Sequence, residues 1–503
     1  MQHFKSFSKT PTLYHQLDAN FATSTASKFA SKFKLFNRAP PLPNLQPYYD
    51  LRIYRNAPLG SLLRTYFVNS LSRRNILSLG CARTHEVVSR FLGATTANNL
   101  IFSTLGNSYN ARIDSVLIKK DLVQYNDREI SVSIAYRMGE REFSEYELDE
   151  NARKYIEIID LASSTSYKGN SISINIGALG NFNALVKVNR AQNWIQSVFE
   201  PYPGRVYEKL QANEIYDKLK QKYVECEESE FAEFLSLVLG REIGGDLSRE
   251  EITRFEWLQN VHAYYFGEAS ERNDNKILQD LNRLTNDEVH AMQTFGERLT
   301  RIYENAKNKR LYGVSNEAEN RDLQALNGSV AHQFSAIYNG EQPVALGAIQ
   351  GDQAVQERVY FEVESSNYLG IPLGVKLVSG GAEKAASFDG ALEYLLNNYS
   401  TGTKIVIESE NMESVNKAKE LIEKNGLNRK LVKIAQVEGT GDFLTFGLVR
   451  EGFGVIKELQ YGGKEDLVPW LVERASENTN NNTVRRIENK LVINELARRF
   501  RLI

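Results

Sequence analysis

The chain contains few of the residues from which disulfide frameworks and metal centres are built. Its 503 residues include two cysteines, Cys81 and Cys226, which are too few and too far apart for a disulfide framework or a zinc knuckle. This cysteine usage suits a reducing compartment. The six histidines end at His332, so the C-terminal third has no imidazole for metal binding or acid–base catalysis.

A strong charge of one sign and long hydrophobic runs are also missing. The 61 lysines and arginines nearly balance the 63 aspartates and glutamates, and the net charge of -2 gives no bulk electrostatic reason to expect nucleic-acid binding. No apolar run approaches the roughly 20 residues that a helix needs to span a bilayer. Since 42% of the residues are hydrophobic, a chain of this length can bury a large core in one big domain with appendages.

The N-terminal segment is basic and nearly free of acidic residues. Residues 1–39 carry six lysines and arginines against one acidic residue, Asp18, with Ser, Thr, Phe and Ala between them. This composition is typical of a mitochondrial targeting segment, and a disordered basic arm is the alternative. The residues that follow, up to 48, contain four of the eleven prolines and predict a stiff linker. We therefore assign residues 1–48 to a basic, targeting-like arm and a Pro-rich linker.

Strand-like and helical patterns alternate through the C-terminal half of the chain. Thr285 and Glu288 have the spacing of a capping box at the start of a helix. Short strand-like segments follow at 311–314, 344–348, 375–378, 404–407, 432–435 and 455–456, and alternating segments at 131–136 and 171–179 precede them. Strands that alternate with helices predict βα units and a parallel sheet. Periodicity alone leaves open whether the sheet closes into a barrel or stays open and doubly wound.

A charged, helix-rich insertion is predicted at about 205–280, and we expect its surface to contact other proteins. Within it, residues 240–251 have the outline of an EF-hand calcium loop. The first position of that loop needs an oxygen ligand, but it is Gly240. A pair of helices without calcium is therefore the favoured interpretation.

The last strand–turn–helix unit, residues 455–478, carries a specific pattern. A short apolar strand leads through Gly462 and Gly463 into a helix with apolar residues at helical spacing. The unit resembles the last β/α unit of proline dehydrogenases at Lys457, Tyr461, Gly462, Pro469, Leu471, Arg474, Glu477 and Asn478. The resemblance covers most of residues 170–500, with a weaker match from about residue 50.

This resemblance implies a (β/α)₈ TIM-like barrel of the proline dehydrogenase type. The barrel with its helical insertion would occupy residues 171–503, and residues 49–170 would form an N-terminal helical arm and the first barrel elements. It also implies three cofactor contacts at strand ends, Gln350, Lys376 and Gln436. The alternative is that these three residues simply fill the barrel mouth. The family activity would be FAD-dependent.

Several positions depart from the family pattern, and most departures replace a cation or an aromatic residue. Glu458 stands where the family has a substrate-facing tyrosine, and Glu473 replaces the first arginine of a pair. Glu410 replaces a histidine, and Ser379 replaces a cation that faces the flavin. The resemblance therefore leaves as remnants of the substrate pocket Arg474, Glu477, Glu458 and Glu473.

The expected consequence is electrostatic. A proline pocket must hold a carboxylate, which calls for arginine. The predicted mouth instead gains five carboxylates: Glu408, Glu410, Glu438, Glu458 and Glu473. Two unit charges 4 Å apart interact by about 4 kcal/mol at an effective dielectric constant of 20. We therefore assign no catalytic residue, and we expect Arg474 to pair with one of these glutamates. An all-oxygen metal site is the alternative for this cluster, but we assign no metal.

Two functions remain after this comparison. The favoured one is a non-catalytic barrel that serves as a structural or accessory subunit of a mitochondrial inner-membrane assembly, of the respiratory-chain or ATP-synthase type. It would lie peripherally on the matrix side, contact other protein subunits, and bind neither nucleic acid nor a cofactor. The alternative is an FAD-dependent dehydrogenase of proline or a related amine, with FAD bound if the family site persists.

Overall fold

Eight parallel strands form a closed barrel in the computed structural model of the chain. The structure describes residues 54, 62, 124–125, 128–164, 169–198, 208–221, 226–254, 256–257, 277, 284–318, 320–340, 343–352, 354–379, 385–400, 402–429, 431–437, 441–463, 466–467 and 482–500. The barrel strands are β1 (Ser131–Arg137), β2 (Ser171–Asn175), β3 (Gly313–Glu317), β4 (Ala345–Gln350), β5 (Gly374–Val378), β6 (Lys404–Glu408), β7 (Val432–Val437) and β8 (Gly454–Gly462).

Each strand pairs in parallel with the next, and β8 closes the barrel by pairing with β1. That closing ladder runs from Ile456 opposite Ser131 to Gly462 opposite Arg137. The prediction of a (β/α)₈ barrel is therefore confirmed, and an open doubly wound sheet is excluded. The first barrel strand lies at 131–137, within the segment where the sequence predicted the first barrel elements.

Helices connect the strands, as parallel pairing requires. They are α1 (Glu145–Ser164), α2 (Phe182–Ser197), α3 (Ala212–Lys220), α4 (Glu228–Leu239), α5 (Asn286–Asn308), α6 (Gln324–Tyr338), α7 (Val355–Leu369), α8 (Ala385–Asn397), α9 (Met412–Lys424), α10 (Asp442–Arg450) and α11 (Asn482–Arg499). The predicted capping box is confirmed, since the Thr285 hydroxyl accepts from the Glu288 amide and the Glu288 carboxylate accepts from the Thr285 amide.

Alternation along the strands separates the two sides of the barrel wall. In β6, Ile405 and Ile407 pack between the strands and the helices, whereas Val406 packs inside the barrel. This follows from the period of two residues in a strand. The interior layer comprises Tyr312, Leu346, Val406, Ala435 and Ile456. The lumen is therefore filled by side chains at this level, and polar inward residues lie at its two ends.

The predicted insertion has a hydrophobic cluster around α3 and α4 that also includes Trp194 of α2 and Phe361 of α7. A two-stranded antiparallel ladder, Lys209–Gln211 with Glu251–Thr253, joins its ends. In the calcium-like loop, Glu250 is paired with Arg241, and Glu251 with Lys209. These carboxylates are bound to protein cations. In the residues that the structure describes, no group of three or more His, Cys, Asp or Glu could hold a metal ion.

The chain divides into two compact units. One comprises residues 67–488 and contains the barrel, and the other comprises residues 1–66 with 489–503. In the smaller unit, Arg499 donates a hydrogen bond to the Tyr54 carbonyl. The arm and linker predicted at 1–48 lie outside the described residues. No helix in the described ranges is both long and apolar enough to cross a membrane.

Candidate functional site

Five charged side chains meet inside the barrel at the carboxyl ends of the strands. The cluster, called the buried cluster below, consists of Arg137, Glu317, Lys376, Glu408 and Glu458. They come from β1, β3, β5, β6 and β8, and three of them are the last residue of their strand. All parallel strands end on the same side of a barrel, which is where the active sites of such barrels lie.

Lys376 is the centre of the buried cluster. Its Nζ lies 2.6 Å from Glu317 Oε1, 2.5 Å from Glu458 Oε2 and 3.0 Å from Glu408 Oε2. It is also 3.4 Å from the Ser173 hydroxyl on β2. One ammonium group therefore connects β5 with four other strands. Because burial alone would be very costly for this charge, the carboxylates that surround it are what stabilise it there.

Arg137 completes the pairing on the opposite side of the same carboxylates. Its guanidinium lies 3.1 Å from Glu317 Oε2 and 3.5 Å from Glu458 Oε1. Its Nε donates to the Gln460 side-chain carbonyl, and Gln460 Nε2 donates to Glu458 Oε1 at 2.6 Å. Glu317 and Glu458 thus each bridge Lys376 and Arg137.

The surroundings shift the pKa values of the titrating groups in the cluster in different directions. Burial opposes ionisation of Glu317, but the charges of Lys376 and Arg137 outweigh it and lower the pKa of Glu317 to about 2. Burial would likewise lower the pKa of Lys376, but the three glutamates raise that pKa well above its ordinary value. Burial and the charge of Glu458 raise the pKa of Glu408 to about 7, against the opposing effect of Lys376.

Two more lysines are buried at the opposite end of the barrel, beside the ring of Tyr312. Lys404 Nζ donates to the carbonyls of Tyr312 and Pro343 at 2.8 and 2.7 Å, and Lys433 Nζ donates to the Ser131 hydroxyl at 2.7 Å. Burial lowers the pKa of Lys404 to about 8. These groups lie at the amino ends of the strands. In such barrels, residues at this end usually contribute to stability, and the catalytic residues lie at the other end.

The structure brings together only some of the predicted site residues. Lys376 and Glu458 lie in the buried cluster, as does Glu408. Gln436 instead faces the helix layer, where its carbonyl accepts from Thr445 at 2.8 Å. Gln350 ends β4 and is half-buried, and its cofactor contact stays a prediction.

Some predicted residues fall where the structure gives no description. These are Glu438, Glu473, Arg474 and Glu477. The expected pairing of Arg474 with a mouth glutamate therefore stays a prediction. In the described part of the mouth, Arg137 and Lys376 make such pairs. They reduce the unopposed negative charge that the sequence predicted there.

Sequence reasoning missed Arg137. It lies at the end of β1, in a region where the family resemblance was weak. A signal was present, because the alternating segment 131–136 predicted a strand and Arg137 follows it directly. A charged residue at the carboxyl end of a barrel strand points toward the site.

The architecture defines the class of the protein: a parallel (β/α)₈ barrel whose polar cluster lies at the end that carries active sites in this fold. The family model described as proline dehydrogenase matches residues 381–486. The chain is 28% identical over 216 residues to mitochondrial proline dehydrogenase 2 of Arabidopsis thaliana, covering 36% of this chain and 44% of that protein. It is 25% identical over 247 residues to hydroxyproline dehydrogenase of Bos taurus, covering 43% and 53%. Over these parts of its length the chain is similar to the proline dehydrogenase family.

These matches are partial. A further relative, mitochondrial proline dehydrogenase 1 of Dictyostelium discoideum, is 24% identical over 227 residues, covering 39% of each protein. The chain thus spans about half or less of the curated relatives named here. Among solved structures, proline utilization A from Bdellovibrio bacteriovorus aligns with a TM-score of 0.48 and 14% identity, over 92% of this chain and 42% of that one.

Two of the three side chains predicted to contact FAD, the cofactor of proline dehydrogenases, are engaged by other groups of the protein. A dinucleotide is anionic and needs cations or helix N-termini at its phosphates. Of the three predicted contacts, Lys376 is surrounded by carboxylates and Gln436 is bound to Thr445 and faces away from the barrel interior. No cradle for the phosphates is formed by these side chains.

Proposed function

We propose that this barrel is non-catalytic and serves as a structural or accessory subunit of a mitochondrial assembly. The observation that carries the proposal is the position of Lys376. Its ammonium lies within 3.0 Å of three glutamates, and two of these also bind Arg137. Both cations that the described barrel interior offers at this end are therefore used internally.

An amino-acid substrate would have to compete with these internal pairs for its carboxylate partner. Breaking a buried ion pair costs about 3–5 kcal/mol, because it leaves a charge uncompensated in the interior. Each 1.4 kcal/mol is a factor of ten in affinity, so binding would weaken roughly 10²- to 10⁴-fold. The excess carboxylate, Glu408, would add repulsion to that loss. Proline oxidation at this site is therefore disfavoured by the geometry of the chain itself.

The proposed location rests on two supports. Relatives from Arabidopsis thaliana and Dictyostelium discoideum are mitochondrial by name. The basic composition of residues 1–39 is typical of a mitochondrial targeting segment. We place the protein peripherally on the matrix side of the inner membrane, in an assembly of the respiratory-chain or ATP-synthase type. The charged surface of the insertion would contact neighbouring subunits.

The test is to purify the full chain and measure three properties together. These are the visible absorption spectrum, the proline- and hydroxyproline-dependent reduction of an artificial electron acceptor, and the native mass in a mild mitochondrial extract. We expect a colourless protein without turnover that migrates in a large complex. Arabidopsis proline dehydrogenase 2, handled identically, is the positive control. Stoichiometric flavin together with proline turnover would refute the proposal.

One observation favours a second candidate function, that of an FAD-dependent dehydrogenase whose substrate is a cationic amine instead of proline. The buried cluster contains three carboxylates but two cations, and the extra carboxylate, Glu408, lies at the mouth. Such a site attracts a cation rather than a carboxylate. Bound flavin with turnover of a simple amine but not of proline would establish this candidate and exclude the structural one.

A further inference from the structure

The buried cluster contains one more carboxylate than it has cations. Among the described residues, Glu317, Glu408 and Glu458 face Lys376 and Arg137, so full ionisation would leave one negative charge that no described cation of the cluster compensates. An uncompensated buried charge is expensive, and a carboxyl group in such a place generally binds a proton instead. The charge balance alone therefore calls for one proton.

The contacts identify which carboxyl group holds that proton. Both oxygens of Glu317 lie next to cations, at 2.6 Å from Lys376 and 3.1 Å from Arg137. Both oxygens of Glu458 are likewise engaged, with Lys376 at 2.5 Å and with Gln460 at 2.6 Å. In the described part of the barrel, the ion pair of Glu408 is with Lys376, at 3.0 Å, and that contact is not aligned as a hydrogen bond.

Solvent exposure also indicates that Glu408 holds the proton. The side chain of Glu408 is 15% exposed, compared with 11% for Glu317 and 3% for Glu458. A proton can therefore reach Glu408 from solvent without displacing the ion pairs beneath it. The charged groups that face it are Lys376 from β5, Glu458 from β8 and Glu317 from β3. On its other side, the β7 residue paired with Glu408 is the apolar Ala435, which packs inside the barrel.

We propose that Glu408 is the proton-binding residue of the buried cluster, taking up one proton from solvent and releasing it as the surroundings become alkaline. The cluster is neutral when Glu408 is protonated and carries one negative charge when it is not. No other reactant is needed, because the step is a proton transfer between water and a Glu408 oxygen. Burial and Glu458 raise the pKa of Glu408 to about 7, which agrees with this assignment.

The consequence is a mouth whose affinity for cations depends on pH. In the protonated form the interior has no net charge to attract a cation, whereas the deprotonated form attracts one. This inference goes beyond the proposed loss of catalysis, because it concerns the protein alone and holds with or without turnover.

The test is infrared difference spectroscopy of the full chain between pH values one unit below and one unit above about 7. We expect the carbonyl band of one buried carboxylic acid in the more acidic sample, replaced by a carboxylate band in the more alkaline one. Glu408→Gln should remove this difference. Gln has the shape of the protonated acid, so the variant is expected to fold. Glu233→Gln, on the exposed side of α4, is the matched control and should leave the band unchanged.

Two outcomes would overturn the proposal. The wild-type spectrum alone refutes it if no carboxylic acid band changes across this pH range, whatever the behaviour of the variants. A band that persists in Glu408→Gln would place the proton on Glu317 or Glu458 instead. Circular dichroism of each variant at both pH values shows that the comparison is between folded proteins.

Discussion

Replacement of Lys376 by methionine is the most direct perturbation of the barrel interior. Lys376 is buried and is the group that connects Glu317, Glu408 and Glu458. Methionine keeps much of the volume but removes the charge, so three carboxylates would face Arg137 alone. Breaking a buried pair in this way costs about 3–5 kcal/mol. Carboxylates about 4 Å apart repel by roughly 4 kcal/mol at an effective dielectric constant of 20, which is of the same size.

We therefore expect Lys376→Met to lower the free energy of unfolding by about 3–5 kcal/mol at neutral pH, a large share of the roughly 5–15 kcal/mol typical of a domain. Urea unfolding followed by circular dichroism and by tryptophan fluorescence measures this loss. The matched control is Lys417→Met. Lys417 pairs with Glu393 at 2.8 Å, but the two side chains are 32% and 53% exposed, so the expected loss is at most about 1 kcal/mol.

The pH dependence separates lost charge from lost packing. Without Lys376 the carboxylates are destabilised in their ionised forms, so their folded pKa values rise and protonation relieves the repulsion. The difference between Lys376→Met and the wild type should therefore shrink as the pH falls from neutral toward the ordinary carboxyl range. A loss equal to that of Lys417→Met, or one that does not change with pH, would refute the electrostatic account of this site.

Two further predictions concern the same barrel. Burial raises the pKa of Glu317, but the neighbouring cations outweigh burial and lower this pKa from 4.5 to about 2. The ionised Glu317 therefore contributes its full stabilisation of the fold above pH 4.5, and this contribution disappears as the pH falls toward 2. Glu317→Gln should thus lose about 3 kcal/mol at neutral pH and show a flatter decline of stability in acid, measured by urea unfolding at several pH values. Gly374→Ala should be strongly destabilising in thermal melts, because a Cβ would lie 2.1 Å from the Ala345 carbonyl oxygen. Gly296→Ala, in α5 with open space around it, should instead stabilise by about 0.5–1 kcal/mol; equal melting shifts for the two glycines would contradict this reasoning.

Much of the fold could be predicted from the sequence because it depends on local patterns. The alternation of strand-like and helical segments predicted βα units, and the capping box at Thr285 and Glu288 formed as expected. The helix Met412–Lys424 likewise has local signals at both ends, with Asn411 as its N-cap and Gly426 in a left-handed conformation just beyond its end. These features involve residues a few positions apart, and their physical causes lie within one segment.

Closure of the barrel and the pairing of its charges were decided by tertiary structure. The ladder between β8 and β1 joins residues more than 300 positions apart, so no local pattern reports it. The sequence by itself determined that glutamates accumulate at the strand ends, but not which of them face inward. Strand register decides that, and it turns Glu408 and Glu458 toward Lys376 while it turns Gln436 toward the helices. Only the closed barrel brings Arg137 to the same carboxylates, because its partners Glu317 and Glu458 come from separate strands.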